Sequence, residues 1–555
     1  MDTRVAKKKL GLKERYAAMT RGLGWETSYQ PMDKVFPYDK YEGIKIHDWD
    51  QWQDPFRLTM DAYWKYQGEK EKKLYAVIEA FAQNNGQLGV SDARYVNALK
   101  LFIQGVTPLE YYAHRGFAHV GRQFTGEGAR VAAQMQSIDE LRHYQTETHA
   151  ISHYNKYFNG MHHSNHWFDR VWYLSVPKSF FEDACTGGPF EFLTAVSFSF
   201  EYVLTNLLFV PFMSGAAHNG DMSTVTFGFS AQSDESRHMT LGIECIKFLL
   251  EQDPDNVPIV QRWIDKWFWR GYRLLTIVAM MQDYMLPKRV MSWKEAWEMY
   301  AEQNGGALFK DLARYGIREP LGWKDACEGK HHISHQAWAT FYNYNGAAPF
   351  HTWVPKEDEL AWLSEKYPDS FDAVYRPRWE YWREQAAEGK RFYNMTLPML
   401  CTTCQIPMLF TEPGDPTKIC YRETDYKRLG RRAAPEAQAP LGGQTAEGGP
   451  GGSTDKYHFC SDHCKGIFEH EPEKYVQSWL PVHQIYQGHC FKPGTDPTAE
   501  GFNPLLAVLD YYEMNVGRDN FDFEGSEDQK NFAAWRGDPP PAPATAAAAP
   551  QGETK

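Results

Sequence analysis

Apolar residues recur at helical spacing along most of this chain, and the strict alternation expected of strands is rare. Within residues 70–104, for example, Leu74, Val77, Ile78 and Phe81 share one helical face. The predicted helices occupy residues 70–104, 108–150 with a break near 125–128, 188–218, 222–252, 258–285 after a break at 253–257, and most of 290–395. This pattern predicts a mainly α fold.

Residues 192–217 form an unusually apolar stretch in which Glu201 is the one charged residue. Its length would allow a membrane span, but a carboxylate at the centre of a lipid span is costly. In a protein interior the same carboxylate can bind a metal. We therefore expect a helix buried on all sides inside a large bundle, ended or kinked at Pro211, and no membrane association.

A five-residue motif, Asp-Glu-x-Arg-His, occurs twice in the predicted helices, at 139–143 and 234–238. Residues three apart on a helix project from the same face, so each copy offers a carboxylate and an imidazole to one metal. A further glutamate precedes each copy, and the candidate ligands are Glu110, Glu140, His143, Glu201, Glu235 and His238. This is the ligand set of a carboxylate-bridged two-metal site in a four-helix bundle. The alternative, two surface helices with local ion pairs, does not explain the apolar surroundings.

The overall composition narrows the class of protein. The 555 residues suffice for one large domain with appendages or for several domains. The aromatic content of 15% suits large buried interfaces, and the net charge of −12 argues against a nucleic-acid partner. Residues 1–23 lack the apolar centre of a signal peptide, and the nine cysteines do not form a disulfide framework. Together these features predict a reducing, cytoplasmic location.

Two cysteine pairs form a second group with metal-binding spacing. The pairs are Cys401 with Cys404, and Cys460 with Cys464. Paired cysteine turns suit a tetrahedral structural zinc. The alternative is four unrelated thiols, one of which could pair with Cys420 or Cys490.

Composition also divides the chain into regions. Residues 1–395 are predicted to form the helical domain with the two-metal site, and 396–490 the four-cysteine zinc module. Residues 433–454 are rich in Gly, Pro and Ala, which predicts a flexible insertion in this module. A C-terminal segment follows at 491–537, and 538–555 is predicted to be a disordered tail.

Both motif groups and several longer stretches resemble one family. The chain resembles the large oxygenase subunit of bacterial multicomponent phenol hydroxylases, within the bacterial multicomponent di-iron monooxygenases, over roughly residues 8–530. The stretches that carry the resemblance, besides the cysteine module, are 49–66, 91–100, 190–217 and 480–488. It implies a ferritin-like di-iron four-helix bundle in a larger helical domain, with a small C-terminal zinc module.

The resemblance also implies roles for the motif residues. One iron would be held by Glu110, Glu140 and His143 and the other by Glu201, Glu235 and His238, with Glu140 bridging the two. Asp139 and Asp234 resemble acceptors for the histidine N–H groups, and Arg142 and Arg237 resemble their partners. Ordinary pairing along each helix is the alternative for these four residues.

Further positions match the active site of that family. Thr205 matches a threonine thought to assist proton delivery to bound oxygen, and helical spacing would place it one turn after Glu201. Asn206 and Gln232 match polar positions near the metals, although each could equally be an ordinary buried polar group. The residues that resemble the apolar lining of the family's substrate pocket are Val106, Ala113, Phe180, Phe200 and Phe209. Individually, each of them is also typical of an ordinary protein core.

The activity implied by the resemblance is that of an NADH-dependent, multicomponent phenol 2-monooxygenase, which uses O2 to convert phenol and methylphenols to catechols. Two irons and one structural zinc are implied. The chain lacks a Gly-x-Gly-x-x-Gly fingerprint and ferredoxin cysteine spacing, so we expect it to bind no flavin or nicotinamide. In the family, electrons come from an NADH-dependent reductase with FAD and a 2Fe–2S cluster. A small regulatory protein and two companion hydroxylase subunits complete a dimeric (αβγ)2-type assembly.

Other functions share the same ligand set. A toluene or benzene monooxygenase hydroxylase subunit is the nearest alternative, because pocket shape rather than ligand identity selects the substrate. A radical-generating subunit of the ribonucleotide-reductase type would need a tyrosine beside the metal helices, and Tyr111, Tyr144 and Tyr202 are candidates. An iron-storage protein would be shorter, and a non-catalytic scaffold has no need of buried acids.

Overall fold

The computed structural model describes residues 9–502, apart from 24–26, 36–40, 91, 159–160, 162–167, 169–171, 288, 344–351, 389–398, 428–453, 479–493 and 497. The predicted insertion at 433–454 lies outside the described residues except for Thr454, and so do the tail at 538–555 and the stretch 480–488. The segment 491–537 is described only at 494–496 and 498–502. The other proposed regional boundaries stay predictions.

The mainly α fold is confirmed. The N-terminal part holds helices Leu12–Thr20 and Met32–Val35 and the 3-10 turns Tyr41–Gly43 and Trp49–Gln51. The first long helices are α1 (Met60–Gln83), α2 (Ala93–Gln123) and α3 (Glu127–Tyr154), with a short turn of helix at Gly86–Gly89 between α1 and α2. The break predicted near 125–128 is confirmed, since α2 ends at Gln123 and α3 begins at Glu127.

The prediction of a single helix over 70–104 is wrong. Asn85 takes a left-handed conformation with φ of 53°, which ends the run of helical residues after Gln83. Asp92 then starts α2, because its side chain accepts hydrogen bonds from the backbone N–H groups of Arg94 and Tyr95. On the predicted apolar face, Leu74 and Ile78 are buried, whereas Val77 is 42% exposed.

The second set of long helices follows the prediction closely. Helix α4 (Ser175–Thr186) follows a 3-10 turn at Trp172–Leu174, and α5 comprises Pro189–Leu193, the π-helical Thr194–Tyr202 and Asn206–His218. Helix α6 (Met222–Gln252) begins where the Asp221 side chain accepts from Thr224 N–H. A turn at Pro254–Asn256 separates it from α7 (Val257–Leu274), which continues as Thr276–Met280 and Met281–Met285.

Helices α5 and α6 approach each other backbone to backbone. A Cβ placed on Gly242 of α6 would lie 2.4 Å from the carbonyl carbon and oxygen of Ser197 in α5. Only glycine fits such a contact without moving one of the helices. The contact brings the turn that carries Glu201 close to the helix that carries Glu235.

The helical prediction for 290–395 is confirmed in the described part of that range. The elements are Trp293–Ala296, Trp297–Gly305, Gly306–Leu312, Ala313–Tyr315, Trp323–Gly329, Ile333–Asn343, Glu357–Lys366, Phe371–Tyr375 and Arg376–Ala387. Large aromatic side chains such as Trp297, Trp338 and Trp379 are almost completely buried here. This region packs on the long helices in one continuous apolar core.

The C-terminal region contains the described strands. Strands β1 (Thr411–Glu412) and β2 (Asp415–Ile419) form one antiparallel pair, and β3 (Arg422–Lys427) pairs with β4 (Thr454–Phe459) in another. Helices Asp462–His470 and Pro472–Val476 follow.

Within the described part of the chain, no individual helix has both the length and the apolar composition of a membrane span. The two halves of α5, Pro189–Tyr202 and Asn206–His218, meet that criterion only together and are bent by 43°. Glu201 and nearly all its apolar neighbours are buried in the protein core, as predicted. The predicted end or kink at Pro211 is wrong, because the helix continues through Pro211 to His218 and the bend lies between Tyr202 and Asn206.

Candidate metal centre

Four helices bring the six predicted metal ligands together in the core. Helix α2 carries Glu110, α3 carries Glu140 and His143, α5 carries Glu201, and α6 carries Glu235 and His238. Every one of these residues is at most 8% exposed. Buried carboxylates and imidazoles need partners that offset their charge and polarity.

The first group consists of Glu110, Glu140 and His143, whose potential ligand atoms lie within 4.8 Å of one another. His143 Nδ1 lies 3.4 Å from Glu110 Oε2 and 3.5 Å from Glu140 Oε2. These are separations expected between two ligands of one ion, and they are too long for good hydrogen bonds.

The second group consists of Glu140, Glu201 and His238, again within 4.8 Å of one another. His238 Nδ1 lies 3.3 Å from Glu140 Oε1 and 3.5 Å from Glu235 Oε2. Glu140 thus turns one carboxylate oxygen toward each histidine, which is the arrangement required of a bridging ligand.

The donor atoms fit a pair of metal ions. His143 Nδ1, His238 Nδ1 and Glu235 Oε2 are buried and have no hydrogen-bond partner among the described residues. Such orphaned atoms are costly unless they bind something. A set of imidazole nitrogens and carboxylate oxygens without thiolates suits iron or a similar transition metal.

Electrostatics also favour cations at this site. Burial, together with neighbouring carboxylates, raises the pKa of Glu110 and of Glu201 well above the ordinary range. Burial opposes ionisation of Glu140 too, but the adjacent His238 and His143 outweigh it and lower the pKa of Glu140. Two carboxyls that resist ionisation without a counter-charge would be stabilised as carboxylates by bound metal.

The histidine of each motif contacts the aspartate of the other motif. His143 Nε2 lies 3.2 Å from Asp234 Oδ2, and His238 Nε2 lies 3.3 Å from Asp139 Oδ2. Each aspartate therefore faces the histidine of the other motif, so that the Nδ1 atom of each histidine would be available to bind a metal.

The two arginines bind these aspartates as well. Arg142 lies 3.2 Å from Asp139 and 3.4 Å from Asp234, and Arg237 contacts both carboxylates. The alternative from sequence was ordinary pairing along one helix. Two of these four contacts are of that kind, and the other two join different helices.

Helix α1 supplies four polar residues behind the site that the sequence analysis missed. Gln67 donates to both Asp139 and Asp234 at 2.8 Å, Tyr63 donates to Asp139 at 2.6 Å, and Lys70 binds Asp234. Glu71 accepts from Arg142 at 2.7 Å. Tyr63, Gln67 and Lys70 lie four and three residues apart, so a polar stripe on one helical face was the available signal.

Gln136 is another residue that was missed. Its Nε2 donates to Glu140 at 3.1 Å and to both oxygens of Glu201 at 3.0 Å. It lies one turn before Glu140 on α3, which was the signal in the sequence. The amide links the two carboxylates and fixes their orientation.

The remaining polar candidates have less defined surroundings. Thr205 is buried, whereas Asn206 and Gln232 are half-buried. The chain between Glu201 and Thr205 leaves regular α-helical geometry, because Val203 N–H bonds to Phe198 O, five residues earlier. Helical spacing therefore does not place Thr205 relative to Glu201, and the catalytic roles of all three stay predictions.

The tyrosines considered for radical chemistry lie in different settings. Tyr111 is 39% exposed and its ring lies 5.4 Å from that of Tyr144. Tyr202 is half-buried and stacks on Phe198.

The five candidate pocket residues are all buried, namely Val106, Ala113, Phe180, Phe200 and Phe209. Phe180 and Phe200 are in ring contact at 5.6 Å, and Phe180 also meets Trp267 edge-on. Their burial fits a substrate pocket and plain core equally well, so the pocket stays a prediction.

The four predicted zinc ligands form one buried cluster. The Sγ of Cys460 lies 3.7 Å from those of Cys404 and Cys464. A zinc–sulfur bond of about 2.3 Å gives a tetrahedral edge of about 3.8 Å, so the cluster fits zinc. All four thiols are free, and so is Cys420 outside the cluster, whereas Cys490 lies outside the described residues.

Local structure explains the unequal spacing of the two cysteine pairs. Cys460 follows the end of β4, and Cys464 lies in the first turn of the next helix, which Ser461 caps by accepting from Cys464 N–H. Burial raises the pKa of Cys464, but hydrogen bonds with the other three thiols, assisted by the positive charge of Arg273 in α7, outweigh burial and lower it. A guanidinium here would offset the negative charge of four thiolates on zinc.

Each of the two sites matches a different family model. Residues 25–253, which contain all six candidate iron ligands, match the family model described as Methane/Phenol/Alkene Hydroxylase. Residues 455–479, with Cys460 and Cys464, match the YHS domain.

Full-length relatives agree. The chain is 62% identical over 540 residues to the phenol 2-monooxygenase oxygenase component DmpN of Pseudomonas sp. (strain CF600), covering 97% of this chain and 98% of that protein. The alkene monooxygenase oxygenase component subunit alpha of Xanthobacter autotrophicus is 26% identical over 82% of this chain and 87% of its own length. The phenol hydroxylase structure from Pseudomonas sp. OX1 superposes with a TM-score of 0.83 at 63% identity, covering 95% of this chain and all of that one, which confirms the predicted ferritin-like helical fold. The chain therefore belongs to the methane/phenol/alkene hydroxylase family.

Proposed function

We propose that this chain is the oxygenase component of a multicomponent phenol 2-monooxygenase that converts phenol and methylphenols to catechols. The observation that carries the proposal is the pair of buried carboxylate–histidine groups that share Glu140. The identity of 62% to a phenol 2-monooxygenase oxygenase component supports the choice of substrate.

The metals would be two irons and one zinc. Glu110, Glu140 and His143 would hold one iron, and Glu201, Glu235 and His238 the other, with Glu140 shared by both. The four clustered cysteines would hold zinc in a structural role. Iron bound at this site would supply the redox chemistry that activates O2.

The protein's own contribution is to orient the ligands and exclude water. Asp234 and Asp139 accept from the histidine Nε2–H groups and so fix the tautomer that turns Nδ1 toward the metal. Gln136 holds the Glu140 and Glu201 carboxylates in place. Burial of all these groups keeps bulk water away from the reacting atoms.

The residues proposed to bind the substrate and to deliver a proton are the candidates from sequence whose roles stay predictions. The contacting rings of Phe180 and Phe200 would line an apolar pocket for the aromatic ring, together with Val106, Ala113 and Phe209. The Thr205 hydroxyl would hold and deliver a proton within the active site, and Asn206 and Gln232 would be polar residues near the iron ligands.

Separate proteins would supply the electrons and control when oxygen is activated. The relatives are called oxygenase components, which implies other components in their systems. For this chain we propose an NADH-dependent FAD and 2Fe–2S reductase, a small regulatory protein and two companion subunits in an (αβγ)2-type assembly. A cytoplasmic location would keep the cysteines reduced.

The test is reconstitution followed by product analysis. The purified chain with iron and NADH alone should not hydroxylate phenol, and catechol should form only when the companion subunits, reductase and regulatory protein are added. Multiple turnovers of catechol formation by the isolated chain with NADH would contradict the proposal. Parallel assays with toluene and benzene separate the nearest alternative, because a higher kcat/KM for either than for phenol would reassign the substrate.

A further inference from the structure

A second cluster of metal-binding side chains lies on the surface, away from both sites described above. Glu79 of α1 meets His149 and His153 of α3, and their potential ligand atoms lie within 4.8 Å of one another. The two histidines are four residues apart, so they project from the same face of α3 and both turn toward α1.

The distances suit ligands of one ion. Glu79 Oε1 lies 2.8 Å from His149 Nε2 and 3.4 Å from His153 Nε2. Metal bonds of about 2.1 Å to nitrogen or oxygen give tetrahedral edges of about 3.4 Å. One distance already matches, and the other needs only a small rotation of an exposed glutamate.

One donor atom has no other partner. His153 Nε2 is fully buried and lacks a hydrogen bond among the described residues, although its side chain as a whole is 14% exposed. Glu79 and His149 are 42% and 34% exposed, so an ion can reach the cluster from solvent. A buried nitrogen that points into an accessible group of ligands is the arrangement of an open coordination position.

Neighbouring contacts hold the cluster in shape. The Tyr75 ring lies edge-on to His149 at 5.0 Å, and the His149 and His153 rings are perpendicular at 5.2 Å. Such packing limits the rotation of both imidazoles, which lowers the entropy lost on binding.

We propose that Glu79, His149 and His153 form a binding site for a divalent transition ion of the zinc class. Two imidazoles and one carboxylate are a common zinc ligand set, with water completing the coordination. The ion would tie α1 to α3 on the same pair of helices that holds the hydrogen bonds behind the candidate iron site. The site is independent of the proposed hydroxylation, because it shares no residue with the candidate iron or zinc ligands.

The experiment titrates Zn²⁺ into the full chain, already loaded with iron and with zinc at the cysteine cluster, against a competing fluorescent chelator. Wild type should bind one further zinc. His153→Gln and Glu79→Gln should each weaken the affinity for this further zinc at least tenfold. The double variant that combines His149→Gln with His153→Gln should abolish its binding. Iron content and circular dichroism should be unchanged in all variants.

The matched control is His47→Gln. His47 also pairs with a carboxylate at the surface, Asp253 at 2.8 Å, but has no second imidazole in that pair. This variant should bind the extra zinc as wild type does. Failure of wild type to bind a further zinc, equal binding by the double variant, or an equal loss in His47→Gln would overturn the proposal.

Discussion

His238 pairs through Nε2 with Asp139, 3.3 Å away, although Asp139 belongs to the other copy of the motif and to a different helix. The reciprocal pair joins His143 to Asp234 at 3.2 Å. The repeated motif is therefore one interlocked unit across α3 and α6, in which each half orients the metal-binding histidine of the other.

Crossed pairing makes a specific prediction for Asp139→Asn. The substitution should disturb the iron held by His238 more than the iron held by His143, and weaken iron binding about 10- to 100-fold, because the imidazole loses its orienting carboxylate. Iron analysis and Mössbauer spectroscopy of the folded variant measure this loss.

Asp221→Asn is the control, since Asp221 is equally buried but accepts from Tyr95 and Tyr154. It should lower stability without changing iron per folded chain. Full iron occupancy in Asp139→Asn would show that the aspartate does not orient His238.

The close approach of α5 and α6 predicts a strong effect of Gly242→Ala. The added Cβ meets the Ser197 backbone at 2.4 Å, which neither helix can avoid without shifting. We expect a loss of about 1–3 kcal/mol in the free energy of unfolding. Urea unfolding measures it, with Gly105→Ala as the control, because a Cβ at Gly105 meets nothing within 4 Å. Equal stability of the two variants would contradict the tight contact.

The cysteine cluster predicts selective loss of zinc. Cys404→Ser should release zinc and destabilise the C-terminal region while iron content stays unchanged. Cys420→Ser is the control, because Cys420 is also buried but lies outside the cluster. Elemental analysis that finds zinc retained in Cys404→Ser, or lost in Cys420→Ser, would overturn the ligand assignment.

Asp183 predicts a pH dependence of stability. This buried carboxylate accepts from Arg270 at 2.8 Å and Tyr475 at 2.6 Å, and it also binds Lys266 and Lys474. Burial opposes its ionisation, but the cations outweigh burial and hold the pKa of Asp183 well below its usual range. Since the folded-state pKa is depressed, this contribution is present above about pH 4 and is lost as the pH falls further.

Asp183→Asn should therefore cost about 3–5 kcal/mol at neutral pH, because it leaves buried cations without their partner. The difference from wild type should shrink as the pH falls below about 4. Thermal unfolding across that range tests the sign, and a difference that grows on acidification would be inconsistent with a depressed pKa.

The sequence revealed local relationships better than distant ones. The Glu-x-x-His spacing at Glu140 and His143 is a property of one helical turn, so it could be read directly. The contacts of Gln67 with Asp139 and Asp234 join segments far apart in sequence, and only tertiary packing brings them together.

Backbone geometry set another limit on what could be predicted. Regular helical spacing predicts Thr205 one turn after Glu201, but the backbone between them is irregular, because Val203 N–H bonds to Phe198 O five residues earlier. The spacing alone therefore does not fix the position of Thr205 relative to Glu201. The end of α1 was missed for a related reason, since the left-handed Asn85 interrupts a pattern that is otherwise apolar and periodic.

The central claim is that six residues on four helices hold two irons. The most direct measurement is the iron content of the purified, metal-replete chain, compared with that of Glu140→Ala. We predict two irons per wild-type chain and loss of iron in the variant with most helical content retained, because Glu140 belongs to both groups of ligands. One iron or none in well-folded wild type, or two irons retained in Glu140→Ala, would contradict the account.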